Sequence, residues 1–594
     1  MEHAADFHPT VILDMSPGHA ARFFRAWQQA LSSPSAAPPG RLALHYVMLL
    51  PAQDAPGFAA ALTMAHPQGT PLHAQASELA AHCQSLDVPT QRMLFALGRV
   101  SLTLCLTSPD APLADLCLQA DQVFGRTAEP WNRWQCKALA RLCRRGAQIS
   151  LGGAPLRPEA MPVWLEAGFV APDPRQAASG VACVYAPAWQ VKRQTHPAPF
   201  AKPGRAAIIG AGLAGASVAR ALALRGWQVS VLERGRTPAS GASGLPAGLV
   251  VPHVSADDSP RSRLSRMGVR LMLAQLTDLL PAGQAWAPSG VLEHNVDTPG
   301  QDPLWHAQAG WVQVSALVRA WLEHPAIEVH CQSEVASIRK LASASGGVQW
   351  SLLDSAGMPA AGVSTPVDLV VITQALSASL RLAGHGSEWQ LAPQAREQIT
   401  ACAQVHGTLS WGVHPDATAA TRAPFPAQPV NGHGSFIPAV PRNGAWHWMS
   451  GSTFEATEDA MRNLAQQHQA NYAKLQRLLP DVAQTLHPAF SAAMRDTASV
   501  PPLAASEDSV HHWQGSRCVS QDRMPLVGPL EAAPQPGVWI SAAMGARGLS
   551  FSALCAQLLV AEIHGEPWPV PVSLGRLLQS TRVRRKTRQV VPVD

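Results

Sequence analysis

Short apolar runs alternate with stretches in which apolar positions recur every three to four residues over the first 170 or so positions. "TVILDM" (10–15) and "LALHYVMLL" (42–50) predict buried strands, and "AQISLG" (147–152) predicts a later one. "AARFFRAWQQAL" (20–31) and "WQCKALARLCRR" (134–145) carry the helical period. "PEAMPVWLEAGF" (158–169) predicts a helix stopped at Gly168. Alternation of this kind predicts a parallel α/β sheet. The period then fails over a proline-rich, basic stretch, which predicts a first domain over 1–188, a linker over 189–204 and a second domain over 205–594.

The pattern resumes at 206–233 as "AAIIGAGLAGASVARALALRGWQVSVLE". "AAII" predicts a buried strand. A helix follows through Arg225, with Gly226 as its stop, and "WQVSVLE" predicts a second strand ending at Glu233. Between the first strand and the helix, Gly210, Gly212 and Gly215 form GxGxxG. Gly210 permits the tight turn, Gly212 lets backbone approach a pyrophosphate, and Gly215 lets helix and strand pack closely. The pyrophosphate then meets the positive end of the helix. Glu233 accepts from ribose hydroxyls and disfavours a 2′-phosphate. Strand, loop, helix, strand and acid together predict dinucleotide binding, where a lone GxGxxG predicts little.

Composition narrows the class. A chain of 594 residues with 47% hydrophobic and 14% charged positions fits several packed cores and not a disordered segment. The net charge of +5 permits a polyanionic partner without requiring one. "MEHAADFHPT" has no basic region leading into an apolar one, so no signal peptide is expected, and no apolar run is long enough to suggest a membrane span. The ten cysteines include no CxxC pair, so neither a zinc site nor a disulfide framework is expected, and a cytoplasmic location follows.

Beyond Glu233, "RGRTPASGASGLPAGLVVP" (234–252) brings Gly241, Ser243, Gly244 and Gly248 into a second glycine-rich segment. It resembles flavoproteins of the glycine oxidase and D-amino-acid oxidase superfamily. "GVWISAAMGARGLSFSALCAQLLVAEI" (537–563) reads as strand, glycine turn and helix. The resemblance implies that Gly545 and Gly548 set a helix N-terminus near the ring of FAD. "WQGSRCVSQDRMPLVGPL" (513–530) fits G-x-R…D-x-x-P-x-x-G through Gly515, Arg517, Asp522, Pro525 and Gly528. Arg517 and Arg547 are candidates to hold a substrate carboxylate, because a guanidinium grips it bidentately and fixes the carbon that loses hydride. A structural ion pair is the competing reading for each. His253 and His433 could line the pocket, although 23 histidines make either an ordinary occurrence.

"RAAIIGAGLAGASVARALALRGWQVSVLER", "GWVQVSALVRAWL", "GSFIP", "GSTFEATEDA", "RCVSQDRMPLVG" and "GARGL" together resemble the MnmC family, the bifunctional tRNA 5-methylaminomethyl-2-thiouridine biosynthesis proteins. The resemblance implies a Rossmann-like methyltransferase fold followed by a glycine-oxidase-type FAD domain with a mixed-sheet substrate lobe. It implies that the FAD domain oxidatively removes a carboxymethyl group from 5-carboxymethylaminomethyl uridine at the tRNA wobble position, and that the first domain methylates the amine with S-adenosylmethionine. The first domain departs from the family pattern. The loop E-x-G-x-G-x-G reads Asp14-Met15-Ser16-Pro17-Gly18-His19-Ala20, and the second strand ends in Leu49 and Leu50 where an acid should hold a ribose. "ADQVFGRTAEPWNRW" (120–134) keeps Asp121 but no Asp-Gly-Phe motif. In the other half, "VDLVVITQA" lacks a glycine at its end.

These residues predict a retained fold with a lost S-adenosylmethionine site. A working bifunctional enzyme and a small-molecule amine or amino-acid oxidase remain alternatives. tRNA is the expected partner, with no metal and no membrane. Arg133, Lys137, Arg141 and Arg145 recur every four residues on the expected helix, with Arg144, Trp131 and Trp134 nearby. "TRVRRKTRQ" (581–589) forms a second basic cluster. Both could neutralise phosphates, or be solvated surface.

Overall fold

The computed structural model describes the chain apart from residues 1–7, 33–40, 85, 108–112, 126–130, 153–154, 192–196, 295–301, 343–346, 364, 375–389, 415–423, 457–462, 495–508 and 584–594. The first sheet has eight strands. Their order is Thr90–Phe95, Val100–Thr107, Leu44–Pro51, Thr10–Asp14, Ala120–Gly125, Cys143–Leu151, Cys183–Tyr185 and Phe169–Val170. The five strands from Val100–Thr107 to Cys143–Leu151 run parallel, and antiparallel strands close both edges. Alternate residues of Thr10–Asp14 enter opposite cores. Ile12 packs with Phe23, Phe24 and Trp27, while Val11 and Leu13 pack with Cys136, Leu139 and Trp164. Burial on both faces is why the central strands read as unbroken apolar runs.

The helix expected over 134–145 is shorter. It spans Arg133–Arg141, and the next strand begins at Cys143. Leu142 closes the helix, and its carbonyl accepts from Ala120 N at 2.6 Å. Cys143, Ala147, Ile149 and Leu151 are then buried on the strand. Arg144 and Arg145 therefore leave the basic helix face. Arg144 pairs with Asp121 at 2.6 Å, and Arg145 donates to the Trp189 carbonyl at 3.2 Å.

The second region centres on a six-stranded sheet in the order Ile327–Cys331, Gln228–Glu233, Arg205–Ile209, Leu369–Ile372, Val538–Ala542 and Leu526–Pro529. All neighbours are parallel except the last pair. A separate seven-stranded mixed sheet includes Val291–Glu293, Gly434–Arg442, Ala445–Gly451, Ala403–Val413 and His511–Val519. Helices Leu464–Leu478 and Pro480–Ala493 cover it through a core around Phe436, Trp448 and Phe490. Contrary to expectation, one stretch, Gly545–His564, is long and apolar enough to cross a membrane by length and composition. It is a core element here, with 83% of its apolar window buried. It packs so closely on helix Pro260–Leu279 that a Cβ at Gly268 would overlap the Ser550 carbonyl oxygen.

The two regions share a buried polar seam. Arg225 Nη2 reaches Glu566 Oε2 at 2.6 Å, and His45 Nε2 of the first sheet lies 3.1 Å from the same oxygen. Arg92 Nη2 donates to the Pro567 carbonyl at 2.7 Å. Burial would raise the Glu566 carboxyl, but Arg225 and His45 hold it well below the usual range. Burial lowers the His45 pKa, against the pull of Glu566. Part of the linker also docks: Phe200 N donates to the Ile563 carbonyl at 2.9 Å.

Candidate functional site

Strand Arg205–Ile209 feeds the glycine loop, and the helix runs from Leu213 to Ala223. Gly210 has φ +108°, a left-handed conformation that the turn demands and that side chains resist. A Cβ on Gly215 would overlap the Gly210 carbonyl oxygen and sit 2.8 Å from Thr373 Oγ1. Thr373 directly follows strand Leu369–Ile372. Its hydroxyl donates to the Ile209 and Gly210 carbonyls at 2.9 and 3.1 Å, so it braces the loop. Its role could not be read from the chain, because its partners lie over 160 residues away.

Glu233 ends the second strand and is buried. Its Oε2 accepts from Ala211 N at 2.9 Å, and its Oε1 accepts from Gly235 N at 2.8 Å and Ser240 Oγ at 2.9 Å. These three bonds fix the carboxylate, which has about four acceptor positions, and leave capacity for a ribose hydroxyl. Ser243 Oγ accepts from Leu213 N at 2.9 Å, which sets this side chain at the helix N-terminus. The other positions of the second segment divide. A Cβ at Gly241 would meet open space, but one at Gly244 would press on the Ala239 carbonyl at 2.8 Å. One at Gly248 would press on Leu549 at 2.8 Å, so the space freed there goes to helix packing. The left-handed turn, the tight helix contact, the terminal acid and the open face at Gly241 fit a dinucleotide such as FAD.

Gly545–Arg547 form a short turn of helix, with Gly545 at φ +57°, and helix Gly548–His564 follows. Gly548 approaches the glycine-loop helix: a Cβ there would lie 3.2 Å from Leu213 Cδ1. This turn lies beside the substrate lobe, since Val519 bridges to Met544. Two residues before Val519, Arg517 is largely withdrawn from solvent, and burial lowers its pKa. Its Nη2 donates to Ser452 Oγ at 2.9 Å, and its guanidinium lies 4.9 Å from the centre of the Phe454 ring. No acid pairs with it among the described residues, and Nη1 is buried without a protein acceptor. A buried donor in that state calls for an anion. Lys474 lies against the same ring at 5.7 Å and donates to the Ser452 carbonyl at 2.6 Å. Sequence reading missed Phe454 and Lys474, which only the fold brings to Arg517.

Arg547 faces a different group. Burial lowers its pKa, the Arg261 charge adds to this, and Glu293 opposes it. His253 is lowered by burial first, then by Arg547 and Arg261, and lies 3.3 Å from Arg261 Nη2. Glu293 is shared with His306 at 2.6 Å. His253 is thus grouped with Arg547, whereas His433 is exposed at the hairpin turn between Val430–Gly432 and Gly434–Arg442. Asp522 is a structural partner of Arg582 at 2.8 Å, so Arg582 is not a free member of the basic tail. Residues 584–589 of that tail lie outside the described residues, as do 457–460 of "GSTFEATEDA".

The corresponding edge of the first sheet is differently furnished. Asp14 is fully buried and accepts from Ser16 N at 2.9 Å, Tyr46 OH at 2.6 Å and Arg22 Nη1. Burial and the Asp14 charge both push the Tyr46 pKa up. Gly18 has φ +52° and sits in a simple turn. Strand Leu44–Pro51 ends without an acid, and the next carboxylate, Asp54, is exposed on the following helical turn. Asp121 begins its strand, away from this edge, where it accepts from Val11 N at 2.8 Å and pairs with Arg144. It is a structural group and not the remnant of a catalytic loop. Residues 126–130 of that loop lie outside the described residues.

Residues 205–303 and 292–562 match the model of the FAD dependent oxidoreductase family, DAO. The tRNA 5-methylaminomethyl-2-thiouridine biosynthesis bifunctional protein MnmC of Albidiferax ferrireducens is 37% identical over 605 residues, covering 96% of this chain and 92% of its own. The protein of the same name from Polaromonas naphthalenivorans is 36% identical, covering 89% and 83%. That of Verminephrobacter eiseniae is 35% identical, covering 96% of both.

Proposed function

The chain belongs to the MnmC family and carries that family's FAD-dependent oxidoreductase region, and from this we propose that it oxidatively removes the carboxymethyl group from 5-carboxymethylaminomethyl(-2-thio)uridine at the tRNA wobble position. When bound, FAD supplies the two-electron acceptor for the C–N oxidation. Gly210, Gly212, Gly215, Glu233, Gly241, Ser243 and Gly244 are the residues that would hold it, together with the turn of Gly545 and Gly548, which meets the glycine-loop helix at Leu213. Arg517 binds the carboxylate of the carboxymethyl tail, and its buried, unpartnered Nη1 is the observation that carries this assignment. Ser452 aims the guanidinium and Phe454 shields it. Arg547 and Arg261 lie near each other and add positive charge that favours an anionic substrate such as RNA. Oxidation of a neutral secondary amine needs no strong base, and none is assigned. The cytoplasm is the compartment in which such a substrate is met.

For the first region we propose a methyltransferase-like fold whose S-adenosylmethionine site is closed. Its support is the saturation of Asp14 by Arg22, Tyr46 and Ser16. Anaerobic addition of tRNA bearing 5-carboxymethylaminomethyl uridine to the FAD-loaded protein tests the oxidase assignment. The visible flavin absorbance should bleach within one turnover. Bleaching by glycine or sarcosine, with none by tRNA, would identify a small-molecule amine oxidase in its place.

A further inference from the structure

Helix Arg133–Arg141 begins at the sheet edge where Asp14 and Gly125 end their strands, since Trp131 approaches Gly125 there. Its start is rigid. Asn132 Oδ1 accepts from Trp134 N at 2.9 Å and Gln135 N at 3.0 Å, while Gln135 Oε1 accepts from Asn132 N at 3.0 Å. Cys136, Leu139 and Ala140 anchor the inner face in the core. The outer face carries Arg133, Trp134, Lys137 and Arg141, and the helix contains no acid. The Trp134 side is 69% exposed, against burial of most tryptophans in this chain. Arg133 and Lys137 lie 5.0 and 5.7 Å from the centre of its ring.

An exposed indole at a capped helix start, with two cations against its ring, is matched to one kind of ligand. A nucleobase offers a flat face for stacking and brings phosphates for Arg133, Lys137 and Arg141. An acidic peptide would satisfy the charges but leave the ring uncovered, and an apolar partner would bury the cations unpaired. We propose that this face is a tRNA-docking platform, in which Trp134 stacks an unpaired base and the three cations neutralise its backbone. The proposal rests on the reading of tRNA as substrate. It gives the first region a use that does not require S-adenosylmethionine.

The test uses the full-length, FAD-loaded protein and an unmodified tRNA transcript, with Kd measured across a salt series. Trp134→Ala should raise Kd roughly 5- to 100-fold, and Trp134→Phe should restore most of the affinity. The triple variant R133Q/K137Q/R141Q should lower the slope of log K against log salt by about two to three. FAD content and melting temperature should match the wild type, since none of the four residues is buried and none belongs to the FAD region. Unchanged Kd and salt slope in both the alanine and triple variants, with tRNA still modified, would overturn the platform and leave the oxidase reading intact. A wild-type protein that neither binds nor modifies tRNA would overturn both.

Discussion

Arg22 Nη1 lies 3.0 Å from Oδ1 and 3.1 Å from Oδ2 of Asp14, so a side chain of the same domain closes the carboxylate at the end of the first strand. With Tyr46 on the same group, Asp14 is held by groups of the fold itself. Titration calorimetry with S-adenosylmethionine should therefore show no saturable heat, and a micromolar Kd would contradict the closure. Tyr46→Phe removes a hydrogen bond to a buried charge and should lower the unfolding free energy by about 1–3 kcal/mol in denaturant titrations.

Gly215→Ala tests the glycine loop. Its new methyl would collide with the Gly210 carbonyl, so helix and strand must separate. The purified variant should be colourless or nearly so, with FAD content measured by absorbance after heat release. Full FAD occupancy would place the cofactor elsewhere.

Arg517→Ala should keep FAD but lower kcat/KM on tRNA by roughly 30-fold or more, the scale of losing one partner of a buried charge pair. Arg517→Lys should recover only part, because an ammonium cannot make the bidentate grip. Single-turnover flavin reduction separates this from a folding defect.

Acid should weaken the seam between the two regions. His564, beside Glu566 with its ring accepting from Trp227 Nε1 at 2.9 Å, belongs to the same seam. His45 and His564 are lowered from 6.5, His564 to about 4, and Glu566 is lowered from 4.5. In each case the unfolded chain binds more protons over the window between its own pKa and the folded value, so stability falls as pH falls from 6.5 through 4. Melting temperature against pH reads this directly. Glu566→Ala should cost about 3–5 kcal/mol at neutral pH, because Arg225 is left buried without its partner.

The parts legible in the chain were those encoded locally. The turn at Gly210, the helix contact at Gly215 and the acid at Glu233 lie within one short unit, where spacing alone fixes geometry. The departure of Asp14 to Ala20 from the family's loop pattern likewise lies within one short stretch. The groups that hold Asp14 are less legible: Tyr46 stands 32 residues away and reaches it through strand pairing, and Arg22, 8 residues on, reaches back from the following helix. Phe454 and Lys474 reach Arg517 in the same way, through strand pairing and a covering helix. The basic helix was overextended because Cys143 and Ala147 continue an apolar spacing that suits either a helix end or a strand. Pairing with Ala120–Gly125 decides for the strand.

Nucleoside mass spectrometry of hypomodified tRNA incubated with the purified, FAD-loaded protein, with and without S-adenosylmethionine, tests the central claim most directly. The account predicts that 5-carboxymethylaminomethyl uridine is converted to the aminomethyl nucleoside equally in both reactions. Appearance of the methylated nucleoside only when S-adenosylmethionine is present would contradict it.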